Sequence, residues 1–154
     1  MVMQSEVKHF MKDIKQNNRI SYKYFHTITT RWMDNDIYGH VNNVTYYSYF
    51  DTTVNQYLID CAGINIQKDT VVGYVVNSQC EYFSGIAYPD QIEVGLRVNE
   101  TGNSSVTYGL AAFKKGETTP CAIGSFVHVF VNRMENKPVS IPLKIRESLE
   151  LLAL

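Results

Sequence analysis

The chain has 154 residues, 45% hydrophobic and 19% charged, with a formal net charge of −1. This describes one globular domain with one core and gives no electrostatic footprint for nucleic acid. No apolar stretch is long enough to span a bilayer, and Met1 to Ile20 mixes Glu6, Lys8, Lys12, Asp13 and Lys15 among apolar residues, so a signal-peptide core is missing and a cytoplasmic location is expected. Cys61, Cys80 and Cys121 form no C-x-x-C pair and are read as small buried hydrophobes in a reducing compartment.

In chain order, Tyr22 to Trp32 alternates, with Tyr22, Tyr24, His26, Ile28 and Trp32 on one side, and predicts a strand. A polar stretch, Asp34 to Asn43, follows. Val44 to Ala62 then carries Val44, Tyr47, Phe50, Val54, Tyr57, Leu58 and Cys61 at spacings of mostly three and four, which predicts a heavily buried helix. Asn42 or Asn43 can cap its start and Gly63 its end. Its β-branched residues and tyrosines argue for strand, but its length without Gly or Pro and its caps outweigh them. Four strands are predicted next: Val71 to Phe83, Gln91 to Asn99, Ser105 to Phe113 and Pro120 to Asn132. The third alternates through Val106, Tyr108, Leu110 and Ala112, and the fourth through Cys121, Ile123, Ser125, Val127, Val129 and Val131. Turns at Tyr88-Pro89-Asp90, Thr101-Gly102-Asn103 and Lys115-Gly116-Glu117 separate them, and connections this short imply antiparallel neighbours. Pro142 to Leu151 predicts a short terminal helix. The whole reads as an α+β domain with one helix packed on an antiparallel sheet.

The chemistry is concentrated in residues 31 to 50. Elsewhere there is no G-x-S-x-G elbow, and neither the Walker nor the dinucleotide glycine pattern occurs. Asp34, Asp36 and His40 could offer oxygen and nitrogen to a metal, but paired-histidine spacing is missing, and no metal or other cofactor is expected. The aspartates lie two apart beyond a strand. In an extended segment they would face the same side, and like charges could raise one pKa. Loops also favour aspartates as turn formers and caps, so residue chemistry alone leaves both readings open. A catalytic reading needs an oxyanion donor and an acyl slot. The start of a buried helix supplies free N–H groups and a positive dipole end, with Asn42, Asn43 and Val44 placed to present them. Tyr, Phe and Val side chains could line the slot.

The run Asp34-Asn35-Asp36-Ile37-Tyr38-Gly39-His40-Val41-Asn42-Asn43-Val44-Thr45-Tyr46 resembles the hallmark of hot-dog-fold thioesterases of the 4-hydroxybenzoyl-CoA thioesterase class. It is also similar to the Asp-x-x-x-His-Val-Asn-Asn of plant acyl-ACP thioesterases. The Tyr82…Tyr88-Pro89-Asp90-x-Ile92-x-Val94 segment fits the same pattern, and the resemblance covers roughly Tyr22 to Pro142. It implies a single hot-dog domain over residues 21–142, with a long central helix wrapped by a five-stranded antiparallel sheet. Residues 1–20 would be an N-terminal extension and 143–154 a C-terminal short helix or tail. Asp36 matches the family's catalytic carboxylate, the Asn43 N–H the donor to the thioester carbonyl, and His40 the histidine used by the plant enzymes. Tyr38 stands where those enzymes have an asparagine. Tyr38, Gly39, Asn42 and Tyr46 are the expected substrate-binding neighbours. The implied activity is hydrolysis of acyl-CoA to free acid and CoA, with Asp36 as nucleophile or general base. The alternatives are an acyl-ACP thioesterase and a non-catalytic domain that binds acyl thioesters. The resemblance also implies a homodimer with active sites at the seam, or a homotetramer; no nucleic-acid or membrane partner is expected.

Overall fold

The structure, a computed structural model, describes residues 15–154. The N-terminal extension expected over 1–20 therefore lies, up to residue 14, outside the described residues. Strands β1 (Tyr24–Thr29), β2 (Val71–Tyr82), β3 (Gln91–Thr101), β4 (Ser105–Lys114) and β5 (Ala122–Asn132) form one antiparallel sheet in the order β1-β3-β4-β5-β2. A two-residue strand, β6 (Lys137–Pro138), pairs with β5 and was not expected. Helix α1 (Thr45–Ala62) packs on one face of the sheet, and α2 (Leu143–Glu150) packs beside it, where the Tyr57 hydroxyl donates to the Ser148 carbonyl at 2.6 Å. This is the expected α+β hot-dog architecture, with a curled sheet around one long helix.

Local chemistry explains the elements. The β3–β4 hairpin closes with Gly102 N–H donating to the Ser105 carbonyl at 2.7 Å, and the β4–β5 turn passes through Gly116 at φ 82°, a left-handed conformation that favours glycine. Ile92, Val94, Leu96 and Val98 of β3 and Val106, Tyr108, Leu110 and Ala112 of β4 face the helix and are buried, as their alternation predicts. Gly63 ends α1 in the left-handed conformation at φ 63°, its N–H donating to the Leu58 carbonyl.

Four expectations are corrected. The first strand stops at Thr29, and Trp32–Asp34 forms a short 3-10 turn that leaves Trp32 exposed. Tyr22 packs with Ala111 and Phe113 on the outer face of the sheet, away from Tyr24 and Ile28. The buried stripe of α1 is Tyr46, Tyr49, Phe50, Thr53, Val54, Tyr57, Leu58 and Ala62, whereas Val44 and Cys61 are exposed. Apolar residues cover so much of this helix that its period left the inward face ambiguous. In β5 the side facing the helix is Ala122, Phe126, His128 and Phe130, not the β-branched set. Both sets are rich in apolar side chains, and Gly124 decides between them. A Cβ there would collide with Phe50 Cε2, so glycine makes the room that Phe50 occupies. The expectation of three buried cysteines is corrected as well: Cys121 is buried, but Cys80 is half-buried and Cys61 is exposed.

Gly124→Ala should therefore lower stability by about 1–3 kcal/mol, the usual cost of overpacking. Phe50→Leu in the same chain should recover part of the loss, as read by urea denaturation of the single and double variants.

Candidate active site

The site begins with a buried charge. The Asp34 side chain, 2% exposed, accepts four hydrogen bonds. Its Oδ1 takes Arg31 Nε at 3.0 Å and Nη2 at 2.9 Å, and its Oδ2 takes the Arg31 N–H at 2.9 Å and the Tyr49 hydroxyl at 2.6 Å. Burial pushes this carboxyl up, but the hydrogen bonds from Tyr49 and Arg31 and the guanidinium charge together outweigh it and hold it below its ordinary value. The expected sharing of charge between two like aspartates does not set this group. Asp34 lies in the 3-10 turn, where its side chain faces the core, and Arg31 and Tyr49 surround it.

From Asp34 the chain makes a closed excursion and returns to α1. Asn42 N–H donates to the Asp34 carbonyl at 2.8 Å, Asn35 and Val41 form an antiparallel bridge, and Asp36 N–H donates to the His40 carbonyl at 2.9 Å. Gly39, at φ 85°, makes the reversal. The segment 82–90 supports this loop from outside. Val41 N–H donates to the Ile86 carbonyl at 2.7 Å, Tyr88 N–H to Asn35 Oδ1 at 3.0 Å, and the Tyr82 hydroxyl to the Asn43 carbonyl at 2.8 Å. The His40 ring packs on the backbone at Gly85, where a Cβ would come within 2.5 Å of its Cδ2.

Within this frame Asp36 is half-buried, and its Oδ1 accepts the Tyr38 N–H at 2.9 Å. Among the described residues its other oxygen has no protein donor. At the helix entry, Asn42 Oδ1 accepts the Val44 N–H at 3.1 Å, and the Asn42 carbonyl accepts the Thr45 N–H at 2.9 Å. Asn42 therefore shapes the entry, while Val44 holds the N-cap position with no side-chain cap bond. The Asn43 N–H, one residue before these two donors, has no partner among the described residues. A free backbone donor at the positive end of an 18-residue helix is the arrangement that stabilises an oxyanion.

The motif residues divide by placement. Asp36, His40, Asn42 and Asn43 lie along the loop and helix entry, while Tyr38 is 85% exposed beside an equally open Ile37. Tyr46 is 3% exposed, with its ring 5.1 Å from that of Tyr82 in edge contact, and burial pushes its hydroxyl up to about 12 against a hydrogen bond from the Ile86 backbone. Its place is in the core beneath the loop. Trp32, Met33, Ile37, Tyr38 and Val44 make the surface around the loop apolar. Sequence reasoning did not single out Arg31, Tyr49, Tyr82 or Ile86 as residues that hold the loop. The three-residue step from Arg31 to Asp34 was the one local signal, because the other partners come from α1, the end of β2 and the segment after it. Two cavities, of about 330 and 370 Å³, lie instead at the far end of α1, both lined by Gly63 and Ile64 and the first also by Lys144. No motif residue lines either, so the chemistry of the loop outweighs them as a guide to the site.

The family model of the thioesterase-like superfamily matches residues 30–149, which takes in the whole loop, α1 and strands β2 to β5 but not β1. The chain belongs to this superfamily. A relative in Bacillus subtilis (strain 168), the uncharacterised protein YsmA, is 28% identical over 135 residues, covering 87% of this chain and 90% of that protein. Among solved structures, PA5185 of Pseudomonas aeruginosa strain PAO1 is 55% identical with a TM-score of 0.87, over 88% of this chain and 95% of that one. Slr0204 of Synechocystis, a 1,4-dihydroxy-2-naphthoyl-CoA thioesterase, shares the fold with a TM-score of 0.74 at 13% identity, over 82% of this chain and 94% of that one.

Because Asp34 is held below its ordinary pKa, it stabilises the fold fully above the unfolded carboxylate value. That contribution is lost as pH falls through the folded one. Asp34→Asn should cost about 1–3 kcal/mol at neutral pH. The variant should also lose less stability than the wild type between pH 5 and pH 2, as followed by denaturant melts (pH values span roughly the unfolded carboxylate range).

Proposed function

We propose that this protein hydrolyses acyl thioesters, acyl-CoA foremost, with Asp36 as the reacting carboxylate and the Asn43 N–H as oxyanion donor. The observation that carries this reading is the pairing, on one closed loop, of a carboxylate oxygen and a helix-start N–H that both lack protein partners among the described residues. Membership of the thioesterase-like superfamily supports the reaction class, and the shared fold of Slr0204 supports a CoA thioester as substrate.

A thioester carbonyl has little resonance stabilisation from sulfur, and a thiolate leaves readily, so a carboxylate suffices. In the general-base route Asp36 takes a proton from water and the resulting hydroxide adds to the carbonyl carbon. Asn43 N–H then donates to the oxyanion. Collapse expels the thiolate, which takes the proton back from Asp36. In the nucleophilic route the carboxylate itself displaces the thiolate, and water cleaves the mixed anhydride. In both, the oxyanion donor contributes about 3–4 kcal/mol of transition-state stabilisation. Tyr38 and Gly39 border the reacting carboxylate, and the apolar surface of Trp32, Ile37 and Val44 offers contact to an acyl group. His40 acts through its carbonyl, which fixes the Asp36 backbone, and through its ring on Gly85.

The chemistry is tested with a panel of acyl-CoA and acyl-ACP thioesters, released thiol being measured. Asp36→Asn should fold normally and lose at least about a hundredfold in turnover, the lower range for an acid–base group. Wild-type turnover in a folded Asp36→Asn protein would return the binding-module reading to first place, and a preference for the ACP carrier would identify the acyl-ACP alternative.

The reading includes a second copy of the chain. Among the described residues β2 pairs only with β5, so its other edge is open, and it exposes Tyr74, Val75 and Val76. A long apolar edge of this kind is a template for strand pairing, and pairing by two-fold symmetry would close it. Light scattering should give a dimer or a dimer of dimers, and a monomer at micromolar concentration would defeat this part of the reading.

A further inference from the structure

The contact between Asp34 and Tyr49 has a topological consequence. Asp36 and Asn43 both lie on the segment between these two residues. The Tyr49 hydroxyl, on the second turn of α1, reaches back to Asp34 Oδ2 at 2.6 Å and so ties the two ends of that segment together. Arg31 occupies the remaining positions on the carboxylate, and the Asp34 carbonyl takes the Asn42 N–H at 2.8 Å. The separation of the reacting carboxylate and the oxyanion donor is thus held by a clasp buried beneath them. The Tyr49 ring is 5% exposed and packs on Tyr46 at 6.2 Å, so it already fills core space without its hydroxyl. A well-packed apolar pair could hold the core as well as a buried charge does. What the charge adds is a fixed geometry.

We propose that Tyr49 is a positioning residue for the thioesterase reaction: its hydroxyl, acting through Asp34, fixes Asp36 relative to the Asn43 N–H. The inference rests on the hydrolase reading of the same loop. It differs in assigning rate to a residue that touches no substrate. Loss of the hydroxyl leaves the ring, the helix and the apolar surface around the loop in place, so substrate binding is retained while the reacting groups drift out of register. Displacements well below a helical turn cost large factors in rate when the affected groups must align.

The test compares wild type, Tyr49→Phe, Asp36→Asn and the double variant on one acyl-CoA, with backbone amide exchange measured on wild type and Tyr49→Phe. Tyr49→Phe should lower kcat at least about tenfold with KM within about twofold, since an interaction that acts only at the transition state moves kcat alone. In the Asp36→Asn background it should cause no further loss. Amides of Asp36, Val41 and Asn42 should exchange faster, while those from Phe50 to Leu58 should not change. Unaltered kcat in Tyr49→Phe, or an equal loss in both backgrounds, would overturn the positioning role. Unaltered exchange in the loop would overturn it whether or not any thioester is cleaved. A wild-type protein inactive on every thioester would instead defeat the hydrolase reading, and the exchange data would still decide whether the clasp holds the loop.

Discussion

One buried carboxylate organises this end of the molecule. Asp34 has almost no access to solvent, and a charge in that position is tolerated only when its lone pairs are filled. Arg31 and Tyr49 fill them, the first from the turn that follows β1 and the second from α1. Satisfying one charge therefore joins the first strand, the loop and the helix. The loop must leave and return within fixed bounds, and Gly39 with the Asn35–Val41 bridge accomplishes that return. Removing the Tyr49 hydroxyl or the Arg31 guanidinium would leave an incompletely paired buried acid, which is why the clasp behaves as a unit.

The rest of the fold gives that clasp something rigid to act on. Phe50, next to Tyr49, is fully buried and sits where Gly124 has no side chain. This close approach sets the height of α1 above the sheet, and with it the position of the helix entry at Asn43. From the other side the segment 82–90 reaches over the loop with three hydrogen bonds. The loop is thus held between core and cover, while among the described residues the Asp36 carboxylate and the Asn43 N–H keep unfilled hydrogen-bonding capacity. A carboxylate and a backbone donor left open on a loop held from two sides are available to a ligand.

Much of this architecture can be read from the chain. The alternation of β3 and β4, the glycine stop at Gly63 and the turns at Gly102 and Gly116 each have a local cause, and the structure agrees with them. The inward face of β5 and the buried stripe of α1 could not be read in the same way. Both segments are apolar on two sides, so the choice was made by packing between Phe50 and Gly124, which are far apart in sequence. The same limit applies to the site. Asp36, His40 and Asn43 stand in one dense motif, but the roles of Arg31, Tyr49 and Tyr82 depend on which helix face points inward. Asp34 was legible as chemistry and not as structure: its spacing from Asp36 suggested a pair sharing charge, whereas the 3-10 turn directs it into the core.

The most direct test of the account is whether the Asn43 N–H meets the carbonyl of the substrate. A ¹⁵N-labelled sample titrated with an acyl-CoA analogue, in which a methylene replaces the thioester sulfur and the carbonyl is kept, reports on each backbone amide. The Asn43 amide resonance should shift downfield more than its neighbours as the ketone oxygen accepts its hydrogen, with smaller changes at Tyr38 and Gly39. An unshifted Asn43 amide, with the changes gathered around Gly63, Ile64 and Lys144 at the far end of α1, would contradict it.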